Sequence, residues 1–167
     1  MLPILRDVIL RLDPSSSTLT TTHLHFVYLC LRLKLYREAL PILALNIYNL
    51  PHLHGRQSPI LCAQGSSASY LTSATGLTNE ITTRDYLQYF LYGALISIAL
   101  RQWEQALLFL ETVLTTPTYG SASLIQVEAY KKYVLIGLLL KGTVGNLEKP
   151  INFSSLLTIF SLNPSQR

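Results

Sequence analysis

The stretch LKLYREAL, residues Leu33–Leu40, recurs 67 residues later as LRQWEQAL, residues Leu100–Leu107. This spacing is about twice the roughly 34-residue period of helix-turn-helix repeats. Each copy carries an aromatic residue and a small alanine in matching places: Tyr36 and Ala39 in the first, Trp103 and Ala106 in the second. The pattern therefore predicts two copies of one helix-pair unit.

This arrangement is typical of tetratricopeptide-like repeats, which act by binding other proteins. A small alanine lets the second helix of a repeat lie close against the first, the aromatic ring fills the corner of the turn, and a later proline stops the second helix. We therefore predict an all-α fold without a sheet, built as a right-handed solenoid of antiparallel helix pairs. Eight residues are expected to pack the repeats: Tyr36, Ala39, Leu43, Gly93, Ala94, Trp103, Ala106 and Leu110.

Apolar spacing and capping residues place the individual helices. At the amino end Leu5, Val8, Ile9 and Leu12 recur every three or four residues, and that helix is expected to end at Pro14. Caps, glycines and prolines predict further helices over residues 20–33, 37–50, 84–100, 103–114 and 123–141.

The predicted helices divide the chain into four regions. Residues 1–50 hold the amino-terminal helix and the first repeat, and residues 84–144 hold further repeat helices. Between them, residues 51–83 are rich in Ser, Thr and Gly and lack helical spacing, so we predict a flexible insertion. Residues 145–167 are expected to form a tail with one short helix near 154–162.

The composition indicates that the folded chain has apolar surface that a partner would cover. It is 49% hydrophobic and 13% charged, with a mean hydropathy of +0.32, which is high for a free soluble monomer. Residues 133–140 are apolar on every side of their predicted helix, so neighbours must cover it all round, and another chain is one candidate. The net charge of +4 is spread without a block of like charges, which disfavours nucleic acid as a partner.

Neither a membrane span nor a secretory signal is predicted. The apolar stretch 86–100 contains Gln88 and is about five residues short of a span, so a buried helix explains it better. Residues 1–7 lack a basic region followed by an apolar run, so Cys30 and Cys62 are expected to be reduced thiols in an intracellular protein. Cys30 then serves as a small core residue.

Four stretches resemble a known family: residues 19–23, 38–43, 115–117 and, above all, EAYKKYVLIGLLLKG over residues 128–142. They resemble subunit 3 of the COP9 signalosome, over roughly residues 18–50 and 84–144. Members of that family carry a helical-repeat region followed by a PCI domain, a winged-helix module through which six subunits assemble into a horseshoe. The complex removes the ubiquitin-like modifier Nedd8 from cullins.

The resemblance implies a non-catalytic scaffold that binds other signalosome subunits, subunits 1 and 8 in the family, in the cytoplasm and nucleus. Residues 52–82 are longer than the family's connection, and the sequence departs from the family pattern after about Lys149. We find no winged-helix module before Arg167, so we expect the repeat portion alone. A basic pair between aromatic residues gives a candidate interface: Tyr130, Lys131, Lys132 and Tyr133.

The sequence gives little support to catalytic chemistry. In the family, the zinc site lies in a different subunit and consists of two His separated by one residue, with an Asp eleven positions after the second. His52 and His54 match that pair, but Gly65 stands at the third position. His23 and His25 point to different faces of a helix and cannot share a metal. With no nucleophile motif or phosphate-binding loop, we predict no enzyme activity, metal or cofactor.

The residues leave three other functions and one structural ambiguity open. The pattern also fits the equivalent scaffold subunit of the proteasome lid, and a stand-alone tetratricopeptide adaptor for short peptides, although the apolar runs argue against the adaptor. A hydrolase that uses His52 and His54 is the third. Two groups of aromatic residues fit either a repeat core or an interface: Tyr86, Tyr89, Phe90 and Tyr92 on the predicted 84–100 helix, and later Tyr130 and Tyr133.

Overall fold

The structure, a computed structural model, describes residues 2–51, 70–118 and 123–142. Within these residues it contains α1 (Leu2–Leu12), α2 (Thr21–Arg32), α3 (Tyr36–Leu43), α4 (Thr83–Ala99), α5 (Trp103–Thr115) and α6 (Leu124–Lys141), with a short 3-10 turn at Ser73–Thr75. This part of the chain has no strand, only an isolated parallel bridge between Thr18 and Asn49. The predicted all-α fold is therefore confirmed there, while the right-handed solenoid and the four-region division of the chain stay predictions.

The chain forms two compact units, residues 1–92 and residues 93–167, and the boundary falls within α4. In the first unit α1 packs against α2, and α2 packs against α3. Burial of apolar side chains holds this unit together. The core includes Leu2, Ile9, Leu19, Phe26, Val27, Cys30, Ala39, Ile42, Leu43, Leu71, Leu87 and Tyr89. Val8, predicted on the inner face of α1, is 38% exposed, so Leu2 rather than Val8 joins Ile9 in the core.

The turn between α1 and α2 is built around the buried side chain of Asp13. One carboxylate oxygen accepts hydrogen bonds from the Ser15 backbone N–H at 3.1 Å and the Ser15 hydroxyl at 2.5 Å. The other accepts from the Thr18 N–H at 3.0 Å. Because these donors satisfy a buried charge, the turn keeps one conformation, in which Ser16 adopts a positive φ of 45°.

The prediction that the third helix extends to Leu50 is wrong, because α3 ends at Leu43. The chain instead leaves the helix and pairs with the α1–α2 turn: the N–H groups of Tyr48 and Asn49 donate to Ser17 O at 2.8 and 3.0 Å. In return, the Leu19 N–H donates to Asn49 O at 3.0 Å. The weak helix formers in Asn46–Asn49 have found tertiary hydrogen bonds in place of helical ones.

Residues 70–82, which the sequence analysis included in a flexible insertion, pack within the first unit. The Tyr70 hydroxyl donates to the Leu12 carbonyl at the end of α1. The Thr78 hydroxyl accepts from the Thr21 N–H at 3.2 Å at the start of α2, and Leu71 is buried. The remainder of that segment, residues 52–69, and the predicted short helix near 154–162 lie outside the described residues.

The turns that join α2 to α3 and α4 to α5 have the same backbone geometry. Lys34 and Arg101, which occupy matching places in the two sequence copies, both have a φ of 59°. In each turn the next residue's N–H donates to a carbonyl five residues back: Leu35 to Cys30 at 2.9 Å and Gln102 to Ser97 at 2.8 Å. This is the hydrogen bond of a Schellman motif, which usually has glycine at the left-handed position. The sequence repeat is thus also a repeat of structure.

The second unit is built on the contact between α5 and α6. Its core comprises Ala94, Ile96, Ala106, Phe109, Leu110, Val113, Leu114, Val127, Ala129, Tyr133 and Ile136. Of the eight residues predicted to pack the repeats, six are buried: Ala39, Leu43, Gly93, Ala94, Ala106 and Leu110. Tyr36 and Trp103 are half-buried, as expected for rings at the corner of a turn.

Replacing Lys34 or Arg101 by glycine should stabilise the protein by about 0.5 to 1 kcal/mol. A non-glycine residue in the left-handed region costs roughly 1 to 2 kcal/mol, which glycine avoids. Glycine also makes the unfolded chain more flexible, and that entropy offsets part of the gain. Urea unfolding measures the change. The matched control is Arg32→Gly, in the last turn of α2, which should destabilise the protein because glycine disfavours a helix. A loss of stability at Lys34→Gly would contradict the turn geometry.

Replacing Ala106 by phenylalanine should lower the free energy of unfolding by about 1 to 3 kcal/mol, because overpacking forces neighbouring side chains out of their preferred rotamers. Ala106 is 0% exposed, so the ring has no route to solvent. Ala99→Phe places the same ring at an exposed position near the end of α4 and should cost much less. The free energy of unfolding of each variant can be measured by urea unfolding. Equal values for the two variants would show that position 106 is exposed rather than buried.

Candidate protein-interaction surface

Helix α6, which the sequence predicted over residues 123–141, begins at a capping box formed by Ser123 and Gln126. The Ser123 side chain accepts a hydrogen bond from the Ile125 N–H at 3.3 Å, and the Ser123 N–H donates to the Gln126 side chain at 3.1 Å. The helix ends at Gly142, whose left-handed φ of 66° is easy for a residue without a side chain. Both ends of the helix are therefore fixed by local sequence.

Gln126 also holds α6 against α5, which the sequence did not reveal. Its side chain is buried, and its amide nitrogen donates to Val113 O at 3.2 Å and to Thr116 O at 2.9 Å. Its amide oxygen accepts from the Thr118 hydroxyl at 3.1 Å, in addition to the Ser123 N–H. The amide group thereby finds partners for all its donors and acceptors, so its burial costs little.

The four residues predicted as a candidate interface do not share one environment. Tyr133 is buried between α5 and α6, and its hydroxyl donates to Glu111 at 3.2 Å. Burial, with a smaller contribution from Glu111, raises the pKa of Tyr133. Tyr130 and Lys132 are half-buried, and Lys131 is exposed. Only part of the predicted set is therefore accessible at the surface.

Glu128 forms ion pairs with both lysines along the outer side of α6. It contacts Lys132 one turn later and lies 3.7 Å from the Lys131 ammonium group. The hydrogen bond from Lys132, followed by the charges of Lys132 and Lys131, lowers the pKa of Glu128. The carboxylate is ionised at neutral pH, so this stretch of α6 presents two cations around one anion.

Large apolar side chains flank these charges on the same side of α6. Leu124 is 80% exposed, Leu135 61%, Leu138 46% and Leu139 75%. We call the side of the helix formed by Leu124, Glu128, Lys131, Leu135, Leu138 and Leu139 the outer stripe of α6. Leu135, Leu138 and Leu139 lie together at the carboxyl end of α6, and a patch of exposed leucines is uncommon on a monomer. Sequence reasoning expected apolar residues all round this helix but could not tell which side lacked cover.

The aromatic cluster of α4 contributes mainly to the first unit. Tyr89 is buried, and its ring meets Phe90 edge-on at 5.3 Å between centroids. Tyr86 stacks at a tilt on Phe90 at 4.7 Å, and Tyr92 meets Tyr28 of α2 at 5.7 Å. Tyr86, Phe90 and Tyr92 are half-buried, so they help to hold α4 in place and still reach the surface.

His23 and Cys30 are buried in the first unit, and His25 is exposed. His23 is buried at the start of α2, where its Nδ1 accepts from the Thr20 N–H at 3.3 Å, and the Thr20 hydroxyl lies 2.8 Å away. His25 is exposed on another side of the helix. Burial, with a smaller contribution from Glu38, raises the pKa of the Cys30 thiol to about 11, so it is a poor nucleophile.

Over the ranges that the structure describes, no three His, Cys, Asp or Glu side chains come together in a way that could hold a metal ion. His52, His54, Gly65 and Cys62 lie outside those ranges. None of the described helices is long and apolar enough to cross a membrane.

Comparison with known proteins identifies a family that matches this chain. The family described as COP9 signalosome complex subunit 3, N-terminal helical repeats, matches residues 1–153. The chain belongs to this family. The six helices and the two copies of one turn in the described residues are consistent with a helical-repeat region, and the outer side of the sixth helix is exposed there.

Members of the subunit 3 family from distant organisms are similar to most of this chain. It is 35% identical to COP9 signalosome complex subunit 3 of Emericella nidulans over 152 residues, which is 87% of the chain and 30% of that relative. It is 35% identical to the Neurospora crassa protein of the same name over 136 residues, 80% of the chain and 27% of the relative. The Dictyostelium discoideum protein is 31% identical over 148 residues, 87% of the chain and 29% of the relative. The chain thus spans less than a third of these relatives.

The buried His23 should make stability depend on pH. Burial, opposed in part by the charge of Asp13, lowers the pKa of His23 from 6.5 to about 4. Between these values the unfolded chain binds a proton that the folded chain does not, so the free energy of unfolding falls as the pH decreases. From pH 7.5 to pH 5 we expect a loss of about 2 kcal/mol from this group, measured by urea unfolding.

The matched variant for this experiment is His23→Gln. Glutamine keeps an acceptor for the Thr20 N–H, as Gln126 does for Ser123 in the capping box of α6, but it does not titrate. Its stability should therefore fall less than that of the parent between pH 7.5 and pH 5. Parallel pH profiles for the two proteins would show that His23 is protonated equally in the folded and unfolded states.

Proposed function

We propose that this chain is the repeat region of a non-catalytic scaffold subunit of the COP9 signalosome and acts by binding other subunits of that complex. The observation that carries the proposal is the match of residues 1–153 to the helical repeats of subunit 3. Helical repeats present extended surfaces, which suit protein partners.

The use made of buried polar side chains supports a packing role rather than a catalytic one. The Asp13 carboxylate accepts from the Thr18 N–H in the α1–α2 turn, and His23 Nδ1 accepts from the Thr20 N–H at the start of α2. The Gln126 amide of α6 donates to Val113 O of α5. All three side chains are buried and bond to backbone groups of the same unit, which suits a packing role. The exposed leucines of the outer stripe are, by contrast, suited to a hydrophobic contact with another protein.

Family resemblance suggests the rest of the proposal. Subunits 1 and 8 are the expected partners, the complex would act in the cytoplasm and nucleus, and its reaction would be the removal of Nedd8 from cullins. In this scheme the chain supplies shape and contacts, while the zinc chemistry belongs to a different subunit. The repeats would stack as a right-handed solenoid, with Ala39 and Ala106 at the helix crossings and Tyr36 and Trp103 at the corners.

Affinity capture tests this assignment. The tagged chain, expressed in cells, should recover signalosome subunits, with subunits 1 and 8 enriched over the tag alone. A longer subunit 3 relative with the same tag is the positive control, and it should compete with the chain for the same subunits. Recovery of proteasome lid proteins instead would assign the chain to the lid, and recovery of neither set by the chain, with the control working, would refute the proposed role.

A further inference from the structure

The turn between α2 and α3 combines three exposed cations with two exposed leucines. Leu33 is 56% exposed and Leu35 is 47% exposed. Arg32, Lys34 and Arg37 are exposed beside them. Among the residues that the structure describes, none of these three cations forms an ion pair. We call these five residues the basic turn.

The rest of this chain is poorly suited to cover the basic turn. The neighbouring carboxylate, Glu38, is bonded to Arg6 of α1 at 3.2 Å and so is already paired. Residues outside the described ranges contain one acidic side chain, Glu148, against three basic ones. In helical repeats the helix pairs stack side by side, so the turn within a pair lies at the edge of the stack rather than between neighbouring pairs.

The turn between α4 and α5 shows what the backbone alone requires. The two turns share one left-handed residue and one hydrogen-bond pattern. At the matching places, however, Gln102 stands where the basic turn has Leu35, and Glu104 stands where it has Arg37. Because the same backbone forms with either pair, the fold does not require the exposed leucine or the cation.

Local folding preferences also disfavour these two residues of the basic turn. Leu35 occupies the N-cap of α3, where its side chain makes no capping hydrogen bond. Arg37 lies in the first turn of α3, where the helix dipole favours an anion such as the Glu104 of α5. Natural sequences break such local rules mainly at functional sites. The basic turn therefore has the marks of a binding surface.

We propose that the basic turn binds an acidic, extended segment of a protein partner that carries apolar side chains among its carboxylates. The inference rests on the proposed function, which gives the chain protein partners, and it names the surface and the chemistry of one contact. The guanidinium groups of Arg32 and Arg37 each offer a carboxylate two parallel hydrogen bonds. The apolar side chains of the segment cover Leu33 and Leu35.

Other occupants fit the basic turn less well. A second copy of this chain carries the same net charge of +4, so two copies repel each other. Nucleic acid would use the cations but would leave both leucines in water. Stable membrane binding needs a wide apolar side or an acyl chain in addition to basic residues, and two leucines supply neither. An acidic segment with apolar side chains satisfies both the cations and the leucines.

Three labelled peptides of one design test the chemistry by fluorescence anisotropy. The first alternates Glu with Leu, the second has Gln in place of Glu, and the third has Ala in place of Leu. At low ionic strength the whole chain should bind the Glu/Leu peptide at least about tenfold more tightly than the Gln/Leu peptide, and more tightly than the Glu/Ala peptide. The first preference should shrink in about 0.5 M NaCl, where charges are screened within a few Å.

The three affinities must differ for the proposal to stand. If the Glu/Leu peptide does not bind, or if it binds no better than either of the other two, the proposal is overturned.

A double variant locates the contact by giving the basic turn two residues of its structural copy. Leu35→Gln combined with Arg37→Glu should weaken binding of the Glu/Leu peptide at least about tenfold. Circular dichroism and urea unfolding should show a folded protein, because the α4–α5 turn forms with the same two residues. Arg37→Glu alone, which removes no apolar contact, should already weaken binding at least about threefold.

The matched control is Arg101→Glu, which makes the same change of net charge at the exposed cation of the α4–α5 turn. It should leave binding of the Glu/Leu peptide within about twofold of the parent. Equal loss of binding in Arg101→Glu and Arg37→Glu would show that only net charge matters, and unchanged binding in Arg37→Glu would place the peptide elsewhere. Either result would overturn the proposal.

Three further measurements separate the competing occupants. Tighter binding to vesicles of anionic phospholipid than to the Glu/Leu peptide would assign the basic turn to a membrane. Tighter binding to a single-stranded oligonucleotide would assign it to nucleic acid. Self-association in sedimentation velocity that the double variant abolishes would assign it to a second copy. Each of these results would overturn the proposal.

Affinity capture from cells connects the basic turn to the complex. The tagged double variant should recover at least one signalosome subunit about fivefold less efficiently than the tagged parent chain. Equal recovery by the two proteins would overturn this inference and leave the proposed function intact, because the subunits would then bind elsewhere on the chain.

Discussion

The burial of a small alanine beside the same turn in both sequence copies is the constraint on which the rest of the structure depends. Ala39 and Ala106 have 0% exposure, so neither leaves room for a larger side chain without displacing its neighbours. The Schellman turns at Lys34 and Arg101 set the direction in which the second helix of each pair departs. Because the turn and the alanine recur together, 67 residues apart, one local solution has been used twice.

Polar side chains fix the connections that this packing alone would leave undetermined. The Asp13 carboxylate accepts hydrogen bonds from N–H groups of the α1–α2 turn. In that turn Ser17 O accepts from Tyr48 and Asn49, in the chain that follows α3. Gln126 plays a similar part between α5 and α6. A buried polar group that lost its partners would cost roughly 1 to 3 kcal/mol, so each group penalises alternative arrangements of the helices that meet there. Apolar burial supplies stability, and these few groups supply uniqueness.

Much of the helical framework could be predicted from sequence, because its signals are local. The ends of α2, α4, α5 and α6 fall within a residue or two of the predicted positions, where caps and prolines decide the boundary. The early end of α3 could not be predicted, since the residues after Leu43 bond with Ser17 and Leu19, far away in sequence. The sequence left Tyr133 open between core and interface for the same reason, because its hydrogen-bond partner, Glu111, lies on another helix. Tertiary contacts decided both cases.

The outer stripe shows why an interaction surface is harder to predict than a core. The apolar composition of residues 133–140 reveals that α6 needs cover on more than one side, but only the α5 contact shows which side is already covered. Once Tyr133 and Ile136 are placed against α5, the remaining leucines lie with Lys131 on the opposite side, where burying them requires a new neighbour. Exposed leucines at the carboxyl end of α6 indicate a surface that a further part of the protein or another chain would cover.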